Sequence, residues 1–172
     1  MAAVANEAAA ASIEGSATET IEKPLPHKLE RKWTFCLYEQ IFKPSKLPGN
    51  ADFHLFRAGI EPKWEDPVCA TGGKWSVTSS GKANLDTMWL ETLMALIGEQ
   101  FDEADEICGV VASVRRQRQD KLALWTKTAA NEAVQMSIGR KWKEVIDVTN
   151  KITYSFHDDS KRERNAKSRY TV

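Results

Sequence analysis

The sequence predicts a single α+β domain behind a short tail, and three observations lead there. Short runs alternate apolar and polar residues with a period of two, as in Asp52-Phe53-His54-Leu55-Phe56, the pattern of half-buried strands. Two longer stretches, Leu85 to Glu99 and Asn131 to Ile146, repeat their apolar residues at helical spacing. The length of 172 residues suits one domain with a substantial core.

The elements follow in order. Residues 1–26 are rich in alanine with scattered Glu, Ser and Thr and no aromatic, so they have no apolar stripe to bury and read as a disordered tail. The domain spans 27–172. Its first strand lies within His27 to Phe35, where Leu29, Trp33 and Phe35 recur at even spacing. After the strand around Phe53 comes Pro62-Lys63-Trp64-Glu65-Asp66-Pro67. Two prolines fence a Trp-Glu pair, which makes a rigid loop rather than a helix or strand interior. Gly72-Gly73 then turns the chain into a strand over Lys74 to Thr78. Asn84 is the expected N-cap of the first helix. On that helix Leu85, Trp89, Thr92, Leu93 and Leu96 make a core-facing stripe, and Leu90 and Met94 lie off it with Glu91 beside them.

An acidic run, Asp102 to Glu106, precedes a strand over Cys108 to Val114. A basic hairpin tip, Arg115 to Lys121, leads into a second strand over Leu122 to Thr126. The second helix presents Val134, Ile138, Trp142 and Val145 on one face. Ile152 to Phe156 is a last strand, and Lys161 onward is basic.

Lysine and arginine together number 24, as do aspartate and glutamate, so no global field draws this protein to nucleic acid and any attraction is local. No apolar run approaches a membrane span, and nothing at the start suggests secretion. The histidines His27, His54 and His157 form no constellation. Neither a nucleophile-base motif nor a phosphate-binding glycine loop nor a metal cluster is visible, so no enzyme, cofactor or metal is expected. Cys36, Cys69 and Cys108 are expected as reduced, buried hydrophobes. A redox pair of Cys69 with Cys108 stays open, since both stand beside predicted strands.

Three features allow both a binding and a plain structural reading. A Trp beside a carboxylate on an ordered loop can stack on a base while accepting the N1–H and N2–H₂ donors of guanine; it can equally be a buried Trp next to an exposed Glu. Leu90 and Met94 suit a docking ridge for a helix, or a wide apolar face under a loop. The basic tip suits a phosphate clamp, or mere solubility.

Taken together, Glu61-Pro62-Lys63-Trp64-Glu65-Asp66, Gly72-Gly73-Lys74-Trp75, Trp89-Leu90-Glu91-Thr92-Leu93 and Ile97-Gly98-Glu99 resemble the cap-binding subunit of eukaryotic translation initiation factor 4F, the 4E family. The wording of Leu85-Asp86-Thr87-Met88-Trp89 and Phe156-His157-Asp158-Asp159-Ser160 is most similar to the plant iso form. The resemblance implies a curved antiparallel sheet with helices on its convex face and a cap slot on the concave side. It implies recognition of the 7-methylguanosine cap of mRNA by Trp64, Glu65, Lys74, Arg116, Arg118, Lys121, Trp125 and Lys161. It further implies that His27, Leu29, Leu90, Glu91 and Met94 grip the Tyr-x-x-x-x-Leu helix of a large scaffold subunit. Genome-linked proteins of plant RNA viruses are then candidate users of the same surface, and residence is in the cytoplasm, with the nucleus left open.

One departure stands out. In the family the first strand is followed by a loop bearing another Trp, a second strand and the start of a helix, whereas here Phe35 runs straight into Cys36-Leu37-Tyr38. The sheet is therefore expected to be one strand short, and the second stacking Trp is missing. This leaves an alternative function, a shortened interaction module or competitor with weak or no cap binding. The tip also looks one residue long: counting back from Trp125 selects Arg116 as the first phosphate contact, and counting forward from Val114 selects Arg115.

Overall fold

The computed structural model describes residues 33–35, 43–117, 119–162 and 168–172. The expected tail, His27 and Leu29, residues 36–42 with Cys36, and Arg118 lie outside them. Seven strands form one antiparallel sheet in the order β1-β2-β4-β5-β3-β6-β7. They are β1 (Trp33–Phe35), β2 (Ala51–Arg57), β3 (Gly73–Thr78), β4 (Ile107–Val114), β5 (Lys121–Thr126), β6 (Thr153–Phe156) and β7 (Tyr170–Thr171). Three α-helices accompany them: α1 (Lys82–Ile97), α2 (Glu132–Val145) and α3 (His157–Arg162).

Side chains alternate across a strand, so the period-two runs sort themselves onto two faces. Phe53 and Leu55, Trp75 and Val77, Val110 and Ala112, Leu122 and Leu124, and Tyr154 are buried together against the helices on the convex side. The expected stripe of α1 is buried there in full, with Met88 and Ala95 added. Two indoles lock the helices. The Trp142 Nε1–H donates to Thr92 Oγ1 at 2.9 Å, and the Trp75 Nε1–H donates to the Gln135 carbonyl at 3.1 Å. At Gly139 a Cβ would stand 2.4 Å from Trp75 Cζ2, so only glycine lets α2 lie this close to the sheet.

The structure corrects the expected elements at three places. Asn84 is not the N-cap of α1. The helix begins at Lys82, and the Asn84 side chain accepts the Ser80 amide at 3.3 Å from within the first turn. Lys82 and Ala83 are good helix formers with no breaker between them and Leu85, so the helix extends back to Gly81. The basic stretch from Lys161 onward also ends in a strand that the pattern did not announce. Tyr170 and Thr171 pair with β6, Tyr170 stacks on Tyr154 at 5.4 Å, and Val172 and Ile152 exchange backbone hydrogen bonds. Finally, His157 to Arg162 forms a helical turn that the sequence pattern did not announce.

At the other end, β1 covers only Leu55 to Arg57 of β2. Residues Ala51 to His54 pair with β4 alone among the described residues.

Candidate nucleic-acid interface

The concave face takes the other residue of each alternating pair: His54, Lys74, Val111, Ser113, Ala123 and Trp125. Over it folds the loop from β2 to β3, which contains neither helix nor strand, as its two prolines predict. Asp66 holds the loop's shape, its carboxylate accepting the Glu61 amide at 3.0 Å and the Val68 amide at 2.9 Å. Gly72 closes it, since a Cβ there would fall 1.9 Å from the Thr126 carbonyl. Between the loop and the sheet lies a small second core of Phe56, Cys69 and Cys108. A rigid anchor of this kind leaves Trp64 ordered although it is 36% exposed, an indole presented to solvent rather than packed.

The result is a cleft of about 360 Å³ between the loop and the sheet. Trp64 and Glu65 form one wall, Trp125 and Lys74 stand on the floor, and Asp52, His54 and Arg115 close the far side. The Trp125 ring meets Phe56 edge-on, with centroids 5.5 Å apart, and a tilted His157 ring at 4.3 Å. Its orientation is therefore fixed before any ligand arrives. Burial pulls the His54 imidazole below its ordinary range, with the nearby Asp52 opposing.

The cations are the informative part. Lys74 is partly buried, and desolvation, followed by the neighbouring Lys121, pulls its ammonium below the ordinary lysine range. No carboxylate pairs with Lys74 among the described residues. Arg115 lines the cleft, its guanidinium 2.8 Å from Asp52 and also donating to the Val114 carbonyl at 3.0 Å. Arg116 does not line it and lies instead along the Gly49 turn. Lys121 is exposed at the start of β5, and the backbone of Lys161 lies in α3. The cleft thus gathers Trp64, Glu65, Lys74 and Trp125 of the predicted set.

Sequence reading missed Asp52 and His54 as cleft residues and left Arg115 open. Strand parity could have found the first two, because both alternate with the buried Phe53 and Leu55.

On the opposite side of the molecule, Leu90 is 58% and Met94 63% exposed on α1. No loop covers them, which removes the packing alternative among the described residues. Glu91 sits between them with Oε2 buried and without a hydrogen-bond partner among the described residues. Cys69 and Cys108 are free thiols, both buried. Their hydrogen bond lowers Cys69 and raises Cys108, with burial adding to the rise of Cys108.

A family model described as Eukaryotic initiation factor 4E matches residues 28–171. The isoform 4E of eukaryotic translation initiation factor from Prunus domestica is 67% identical over 193 positions, covering 93% of this chain and 90% of that relative. The isoform 4E of Arachis hypogaea is 62% identical over 205 positions, covering 98% of this chain and all of that relative. With only 172 residues in this chain, part of the Arachis hypogaea protein has no counterpart here, in keeping with the break noted after Phe35. Among solved structures, the complex of C. elegans eIF4E-3 with the 4E-binding protein Mextli and a cap analog matches with a TM-score of 0.76 at 33% identity, covering 85% of this chain and 99% of that one.

Proposed function

The chain belongs to the eukaryotic initiation factor 4E family, and on that premise we propose that its cleft recognises the 7-methylguanosine cap of mRNA while α1 holds a scaffold subunit. The observation behind this reading is Lys74. A half-buried ammonium with no carboxylate partner among the described residues, repelled by Lys121 and facing an exposed indole, is costly until an anion with a flat base arrives.

In this reading the Trp64 indole stacks on the methylguanine, whose positive charge adds a cation–π gain of about 0.5–2 kcal/mol. Glu65 accepts N1–H and N2–H₂, and Trp125 lies against the methyl group. Lys74, Lys121 and Arg115 meet the phosphates, joined by Arg118 and Lys161 as the resemblance implies. The aromatic that would cover the other face of the base belongs to the segment lacking here, so the stack is one-sided. The phosphate contacts then supply a larger part of the affinity, and binding is strongly salt-dependent.

Leu90 and Met94 form the ridge for a partner helix, and Glu91 between them supplies its carboxylate. His27 and Leu29 extend this surface, which genome-linked proteins of plant viruses are proposed to share. The protein binds and does no chemistry of its own. It works in the cytoplasm, with the nucleus as a second compartment. Cys69 and Cys108 stand as a redox pair under the loop.

Titration with 7-methylguanosine diphosphate, followed by tryptophan fluorescence, tests the reading. Quenching is expected, GDP should bind about two- to thirtyfold more weakly, and Glu65→Ala should abolish retention, because two N–H donors lose their acceptor. Equal affinity for GDP and its methylated form would sink the base-reading assignment.

A further inference from the structure

The hairpin tip carries two adjacent arginines that part company. Arg115 turns into the cleft and is held by Asp52 at 2.8 Å. Arg116 turns the other way and lies over Gly49, where a Cβ would come 2.1 Å from its Cγ and 2.8 Å from its Nε. Only a glycine leaves room for this path. Its backbone amide meets Asn50 Oδ1 at 3.5 Å, and its guanidinium forms no ion pair or hydrogen bond among the described residues.

A second cavity of about 480 Å³ opens here, lined by Asn50, Arg115, Arg116 and Gln117. Arg115 is common to both cavities, so the two adjoin across one side chain. The second cavity carries one uncommitted guanidinium, two amide side chains and a shared arginine, whose apolar stems make up much of the rest of its wall. Such a lining suits a phosphate and a ribose better than a base, since it offers guanidinium and amide donors and no aromatic ring.

Resting on the cap reading, we infer that Asn50, Arg116 and Gln117 form a second subsite, which takes the first phosphodiester of the RNA beyond the cap's phosphate bridge. Arg115 holds the bridge, and the chain of nucleotides passes it into the outer cavity. The additional arginine of the tip thereby extends recognition from the cap to the body of the message without reading its sequence.

The test titrates the full chain with three probes: the cap dinucleotide m7GpppG, the capped oligonucleotide m7GpppGAAA, and the same oligonucleotide uncapped with a 5′-triphosphate. Arg116→Gln, on an exposed side chain, should weaken m7GpppGAAA by about two- to fivefold and leave m7GpppG unchanged. The salt slope for the capped oligonucleotide should fall by about 0.7, and Arg116→Lys should restore it. Equal weakening of both capped probes would place Arg116 in the cap site itself and overturn the proposal, as would no change in either. Failure of the wild type to hold m7GpppG, with Arg116→Gln still weakening the uncapped probe, would remove the cap reading and leave the phosphate subsite standing.

Discussion

Lys74→Met separates binding from stability at one residue. Lys74 lies in the middle of β3, with Trp125 as its cross-strand partner and its ammonium in the cleft. Methionine keeps the apolar stem along the sheet and removes the charge, so packing is nearly conserved. Because burial and Lys121 depress the ammonium's pKa, the folded state resists the charged form. The sign follows from that depression. Below the folded pKa the charge is present and stability is reduced; as pH rises through the folded pKa toward the unfolded value, the proton leaves and the loss is recovered. The variant should therefore be more stable than the wild type at neutral pH, by about 0.5–2 kcal/mol, the usual gain from relieving such a site. At about 2–4 °C per kcal/mol for a chain of this size, thermal unfolding at pH 7 should resolve it. The difference should shrink as the pH is raised toward 10. The same substitution should weaken 7-methylguanosine diphosphate about tenfold to over a hundredfold, the value of about 1.5–3 kcal/mol for a hydrogen bond to a charged group. A lower melting temperature, or unchanged nucleotide affinity, would refute the view of Lys74 as an ammonium kept for an anion.

Leu90→Ala should leave thermal stability unchanged, since the side chain is mostly exposed, and should weaken a Tyr-x-x-x-x-Leu helix peptide by more than about 1 kcal/mol in calorimetric titration. Unchanged peptide affinity would reduce the ridge to ordinary surface. Gly139→Ala places a methyl against the rigid Trp75 ring and should cost about 1–3 kcal/mol in urea unfolding, with nucleotide affinity at saturating folded fraction unaltered. Mild oxidation with diamide should give an intrachain disulfide that mass spectrometry maps to Cys69 and Cys108, tying the Trp64 loop to β4 and raising stability by about 2–4 kcal/mol. A disulfide to Cys36 instead would contradict the pairing.

Much of this protein was legible in its sequence because the information is local. Period-two alternation told which face of β2, β3, β4 and β5 is buried, and helical spacing told that Leu85, Trp89, Thr92, Leu93 and Leu96 point inward while Leu90 and Met94 do not. The two prolines around Trp64 and Glu65 announced an ordered loop, and the tip's arginines and lysine announced local charge in a chain of zero net charge. What the sequence could not decide depends on partners far along the chain. The choice between Arg115 and Arg116 for the cleft follows from β2 lying beside β4, which sets Asp52 against Ser113 and brings its carboxylate to Arg115. The packing of Cys69 with Cys108 requires the loop to fold back over β4, and the two-residue strand at Tyr170 exists only because β6 has a free edge to pair with. Faces are set by steps of two and of 3.6 residues along one segment; pairings are set by which segments the closed sheet makes neighbours, and only the tertiary structure fixes that.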